Sequence, residues 1–147
     1  MTTPDLFALL KLHEGVVDHA YQDSLGYWTI GVGHLIDARK GGKISPHIID
    51  VIMQEDVERH KQELFARIPW ASKLDFTRQC VLIDMAFNLG ADGVLKFRNM
   101  LTHVFNGRYK DAAHEMLDST WATQVKGRAV RLANMMETGV WPSLPPP

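Results

Sequence analysis

The spacing of apolar side chains changes twice along the chain, and each change marks an element boundary. Leu6, Leu9, Leu10 and His13 recur on one face at helical spacing. Thr3 can cap this helix, Pro4 suits its first position and Asp5 favours the positive end of its dipole. Gly15 directly follows Glu14 and is a natural left-handed stop, so Glu14 falls in the last turn. The period then shortens. Ala20 to Gln22, Tyr27 to Ile30 and Gly33 to Leu35 are short aromatic or branched runs divided by glycines, the pattern of a small antiparallel sheet.

Asp37 to Lys43, with Gly41-Gly42, reads as a loop. Ser45-Pro46 opens a second helix that runs to about Ile68, before Pro69. At 1.5 Å per residue it is about 34 Å long, enough to join two lobes. Phe76 to Leu89 is apolar on most sides and is the expected core helix, closed by Gly90. Shorter helices follow near Lys96 to Phe105, Tyr109 to Asp118 and Lys126 to Glu137. Residues 142–147 form a proline-rich tail unsuited to a packed core.

The predicted class is therefore α+β, mainly α, within a single domain. A sheet-containing lobe occupies about 14–44 and a connecting helix about 45–68. Residues 69–141, together with the first helix, make an all-α lobe.

Composition narrows the function without naming it. The chain has 147 residues, 46% hydrophobic and 22% charged, the balance of a globular domain. Sixteen Lys plus Arg face seventeen Asp plus Glu, which argues against nucleic acid as a partner. No apolar run reaches the roughly 18 residues of a membrane span, and no leader is evident, so no stable membrane association and no export signal are expected. A single cysteine, Cys80, excludes a disulfide framework and is expected to be a buried, inert thiol.

The candidate chemistry lies between Glu14 and His34. Two carboxylates, Glu14 and Asp23, stand nine residues apart, and the Thr29 hydroxyl follows six residues later. A helix end facing a hairpin can aim all three into one concavity. Paired carboxylates are the minimum equipment for glycoside hydrolysis, one as acid and one to activate water. On spacing alone the plainer alternative stays open, with Glu14 a surface residue and Asp23 a turn former.

The segment resembles the catalytic signature of the T-even phage lysozyme family, glycoside hydrolase family 24. The shared pattern is Glu, eight residues, Asp, five residues, Thr, inside Tyr-x-Asp-x-x-Gly-x-x-Thr-x-Gly-x-Gly-His, and it stands here unbroken from Glu14 to His34. The likeness continues through Gln54-Glu55-Asp56-Val57, Ala86-Phe87-Asn88-Leu89-Gly90, Trp121, Arg128-Ala129-x-Arg131 and Thr138-Gly139-Val140-Trp141. It departs most clearly in a shorter link between the sheet and the long helix.

The resemblance implies a two-lobed, lysozyme-like fold and a muramidase that cuts the β-1,4 bond between N-acetylmuramic acid and N-acetylglucosamine. Glu14 would be the general acid, Asp23 the base for the attacking water, and Thr29 would help hold that water. Inversion of configuration is implied, with a carboxyl gap of roughly 6.5–9.5 Å. Leu35 and Asn88 would contact sugar, while His34, Asp56 and Arg128 would support the site, Arg128 facing the acid. No metal and no cofactor are implied. The partners would be peptidoglycan glycan strands, met by a monomer that depends on a holin-type permeabilising protein. It would wait in the host bacterial cytoplasm and then act in the periplasm and cell wall during host lysis.

Three decoys fail on spacing. His13-Glu14 with His19 lacks the four-residue histidine separation of a zinc-protease helix. Gly31-Val32-Gly33 lacks the third glycine and the helix of a dinucleotide fingerprint. Cys80 sits in an apolar run rather than beside a base. Two rival functions remain: a lytic transglycosylase, which needs no Asp23 or Thr29, and a non-catalytic wall-binding or phage structural protein. The charge is also uneven. Residues 1–75 carry eight basic and eleven acidic groups, and residues 76–147 carry eight and six.

Overall fold

The computed structural model describes residues 3–22, 28–31, 34–35 and 45–144, and along the strands it is the backbone that is described. The chain divides into two compact units, Thr2–Arg59 and His60–Pro147. The division falls inside the long helix and groups the first helix with the strands, where the sequence reading drew boundaries near 44 and 68.

In the first unit, α1 spans Thr3–Glu14 and buries Leu6, Leu9 and Leu10. Each fully buried leucine contributes about 1.5–3 kcal/mol relative to an exposed one. Gly15 ends the helix with φ +78°, and its N–H donates to the Lys11 carbonyl at 2.9 Å. That left-handed conformation costs glycine nothing and strains any residue with a Cβ.

The chain then passes into β1 (Val17–Gln22), β2 (Trp28–Gly31) and β3 (His34–Leu35). They form an antiparallel sheet in the order β1-β2-β3. Tyr21 is opposite Thr29 and Gln22 opposite Trp28, and a bulge or irregularity separates these pairs from Val17 opposite Gly31. Across β2 and β3, Thr29 is opposite Leu35 and Ile30 opposite His34.

Helix α2 (Pro46–Arg67) starts where the cap and proline predict. The Ser45 hydroxyl accepts from the Ile48 N–H at 3.3 Å. Before the division, α2 buries Ile49, Met53, Asp56 and Val57, and Lys11 of α1 meets Asp50 at 2.8 Å.

The second unit is helical throughout its regular structure. After the end of α2 comes a 3₁₀ turn, Pro69–Lys73, and then α3 (Phe76–Leu95), capped by the Asp75 carboxylate on the Arg78 N–H at 3.1 Å. The helix kinks at Gly90 (φ 75°, ψ 163°), the residue expected to close it. Cys80 to Ala86 are buried without a break, Cys80 as expected. α4 (Arg98–Phe105), α5 (Tyr109–Leu117), α6 (Thr120–Val125) and α7 (Gly127–Thr138) complete the unit. α5 packs on α4 and α7, and α7 also packs on α3 and α6. The core is rich in methionine: Met85, Met100, Met116, Met135 and Met136 are fully buried beside Leu82 and Leu132. Unbranched thioethers fill the irregular gaps left between short helices.

The α+β class expected from the sequence needs correction, because the architecture is overwhelmingly helical. Seven α-helices take most of the described residues, while the strands have only six, four and two residues. The physical reason is local. Period-two and glycine-punctuated signals are confined to one short stretch, and helical spacing with proper caps governs the rest. Helix α6 was also missed, its six residues being too few to show a period.

Candidate active site

Glu14 is the last residue of α1 and is half-buried. The Gly15 turn sends the backbone from that helix end directly into β1, which begins at Val17. Asp23 lies outside the described residues; in sequence it follows Gln22, the last residue of β1. Thr29 is the second residue of β2, and its backbone sits between Tyr21 on one side and Leu35 on the other. Thr29 thus holds the middle position of a three-residue row across the sheet. Glu14 and Thr29 belong to the same compact unit. A helix end that enters the sheet through a single glycine turn, with Thr29 on the neighbouring central strand, forms a local frame that can fix an acid relative to a hydroxyl.

His34 lies on β3, one residue before Leu35. Its expected partner Asp56 is buried on α2, where it accepts from the Arg59 guanidinium at 3.4 Å. The pairing of His34 with Asp56 lies outside the described side chains.

The other predicted residues belong to the second unit. Asn88 is exposed on α3, and its amide oxygen accepts from Trp121 Nε1 at 2.8 Å. That bond orients the amide, since an oxygen held by the indole leaves the Nδ2 donors for another partner. Trp121 itself is buried and meets Phe97 edge-on, with ring centroids 5.8 Å apart.

Arg128, the second residue of α7, is also buried. Its Nε donates to Asp84 Oδ1 at 2.9 Å, and its Nη2 to the Asp84 carbonyl at 3.3 Å. Asp84 is completely buried. Sequence reasoning missed it because it stands inside an apolar run. One signal could have found it. Asp84 and Asn88 are four residues apart on α3, so two polar groups share the face that receives Trp121 and Arg128. A carboxylate placed in such a run requires a cation to accompany it.

Among the described residues, no three His, Cys, Asp or Glu side chains gather as a metal site requires. No described helix is long and apolar enough to cross a membrane.

Comparison with known proteins points to one family. Residues 11–135 match the family model described as phage lysozyme. "Probable T4-type lysozyme 2" of Dictyostelium discoideum is 30% identical over 157 residues, covering 89% of this chain and 92% of that protein. "Probable T4-type lysozyme 1" of the same organism is 27% identical with the same coverage. The pre-baseplate central spike protein Gp5 of Enterobacteria phage T4 is 32% identical, across 89% of this chain and 27% of its own length.

Proposed function

Because the chain belongs to the phage lysozyme family and is a lysozyme acting on peptidoglycan, we propose that Glu14, Asp23 and Thr29 carry out the hydrolysis. Glu14 protonates the glycosidic oxygen as the bond to the leaving sugar breaks. Asp23 takes a proton from the attacking water, and Thr29 holds that water by hydrogen bonding. The bond cut is the β-1,4 linkage between N-acetylmuramic acid and N-acetylglucosamine. Water attacks the face opposite the leaving group, so configuration inverts.

The observation that supports this reading is the backbone frame. Glu14 ends α1, one glycine turn leads into β1, and Thr29 occupies the centre of the sheet beside it. An acid at a helix end and a hydroxyl on a central strand are both held by regular hydrogen bonding, which suits a geometry that must persist through the reaction. Leu35, opposite Thr29 in the same row, offers its backbone to sugar, and Asn88 offers an amide whose oxygen is already engaged. His34, Asp56 and Arg128 support the site rather than react. The enzyme acts as a monomer in host lysis. It stays in the host cytoplasm until a holin-type protein permeabilises the membrane, then reaches the wall.

Proton NMR of the first product formed from a soluble wall oligosaccharide tests the stereochemistry. The α-anomer is expected to appear first. Early β-anomer would contradict inversion, and anhydro-muramic ends would replace the hydrolase with a transglycosylase.

A further inference from the structure

The aromatic rings of the second unit are buried or partly covered, with one exception. Phe105, the last residue of α4, is 63% exposed, and no other aromatic side chain among the described residues is exposed. Its ring meets Trp70 edge-on, with centroids 5.5 Å apart and planes at 81°. Both rings stand on fixed backbone. Trp70 follows Pro69 in the 3₁₀ turn, which Gln79 clamps by donating from Nε2 to the Ser72 and Leu74 carbonyls at 3.1 and 2.7 Å. The Ser72 hydroxyl donates back to the Pro69 carbonyl at 2.9 Å. Just past Phe105, Asn106 Nδ2 donates to the Thr102 carbonyl at 2.9 Å and closes α4. Rings held in this way lose little freedom when a ligand binds.

Their surroundings are polar. Thr102 lies three residues before Phe105 on the same helix face, and Lys73 lies three residues after Trp70, where the side chains of a 3₁₀ turn eclipse. Both are exposed, and Lys73 forms no ion pair among the described residues.

Size decides what covers the pair. A phenylalanine side chain offers about 150–250 Å² at most, against the roughly 800 Å² per partner that a stable protein interface buries. Phe105 is also the only large apolar residue exposed on α4 or the 3₁₀ turn, so a partner chain would find no apolar neighbours there. A membrane surface would likewise require a continuous apolar face. One open ring, rimmed by a hydroxyl, an amide and an ammonium, instead matches one pyranose. The sugar's C–H face lies on the ring while its hydroxyl and acetamido groups turn to the rim. Peptidoglycan glycan supplies such rings in repeat.

We infer that Phe105 and Trp70 form a secondary binding surface for a sugar ring of the glycan strand, with Lys73 and Thr102 as its polar contacts. The surface shares no residue with the site proposed above, and the inference rests on the peptidoglycan reading. A second contact on one polymer acts through effective concentration, so it tightens binding to long or cross-linked strands far more than to short oligosaccharides. A single ring contact sets an effect of about threefold to tenfold.

Co-sedimentation of Glu14→Gln with purified sacculi reads binding without cleavage. Adding Phe105→Ser is expected to weaken it about threefold to tenfold, and Phe105→Tyr, which keeps a ring, to preserve it. Glycan strands stripped of peptide are expected to shift the NMR resonance of the Trp70 indole N–H. With Glu14 intact, Phe105→Ser should raise the ratio of KM on sacculi to KM on a soluble tetrasaccharide by the same factor. Equal sedimentation with and without the ring, an unmoved Trp70 resonance or an unchanged KM ratio overturns the inference. So does a ring that serves to bind phosphatidylglycerol vesicles or to dimerise the protein instead of binding sugar. A native protein that releases no reducing muramic ends from sacculi would instead overturn the muramidase reading.

Discussion

Arg128 and Asp84 form a buried ion pair, with Nε 2.9 Å from Oδ1 and the carboxylate wholly removed from solvent. A second donor of the same guanidinium reaches the Asp84 carbonyl at 3.3 Å. The pair ties α7 to α3, and four residues along α3 the Asn88–Trp121 bond ties α6 to the same helix. Two polar contacts thus hold the α6–α7 elbow against an otherwise apolar wall.

Removing one member of the pair leaves the other charge buried and unmatched. Arg128→Met is expected to destabilise the protein by about 3–5 kcal/mol. Asp84→Asn keeps an acceptor for Nε and should cost less. Arg128→Met combined with Asp84→Leu should recover most of the loss, since well-packed apolar residues can replace a buried pair at little cost. Urea unfolding of the three variants checks the order. A double variant as unstable as Arg128→Met would show that the two residues do not act as a pair.

At the other contact, Trp121→Phe keeps an aromatic ring against Phe97 but deletes the donor to Asn88. The expected cost is about 0.5–1.5 kcal/mol for the hydrogen bond, with a further packing loss. Asn88→Ala leaves the buried Trp121 N–H without its acceptor, so it is expected to cost about 1–3 kcal/mol while raising KM on wall oligosaccharide. A fall in kcat at unchanged KM would remove Asn88 from substrate binding.

The helices were legible where caps and prolines stood beside a period. Ser45-Pro46 and Asp75 mark their starts correctly, and Gly15 and Gly90 mark stops or kinks. The strands were legible within a few residues because aromatic runs and glycines alternate there. The fold class was overestimated in its β content, since three short strands weigh little against seven helices. Asp84 was hidden for a different reason. Periodicity averages over a window, and one carboxylate in an apolar run changes the average little, although it decides the burial of Arg128. Of the proposed trio, Glu14 and Thr29 fall on a helix end and a hairpin strand as their spacing implied, and Asp23 lies outside the described residues.

Two glycines with similar backbones should respond differently to a methyl group. Gly15 (φ +78°) has no described atom within 4 Å of a built Cβ, so Gly15→Ala should cost chiefly the backbone strain, about 1–2 kcal/mol. Gly139 (φ +69°) would place its Cβ 2.8 Å from Arg78 Nη1. That arginine donates to the Met136 carbonyl at 2.7 Å and the Glu137 carbonyl at 3.0 Å, and its guanidinium lies 3.6 Å from the Tyr109 ring centroid. Gly139→Ala should therefore cost more than Gly15→Ala, as thermal melts of the two would show.

Lys126 joins α6 to α7 with φ 50° and ψ −110°, a conformation that strains a residue with a Cβ. Lys126→Gly is expected to stabilise the protein by up to about 1 kcal/mol, the released strain exceeding the added chain entropy of glycine. A lower denaturation midpoint would show that the lysine stem contributes more than its backbone costs.

The central claim is that Glu14 supplies the proton that breaks the glycosidic bond, and new reducing ends released from purified sacculi measure this most directly. Native protein should generate reducing muramic ends, while Glu14→Gln, matched to it in melting behaviour, should release them about 10²–10⁴ times more slowly. Equal release by the two proteins would contradict the account.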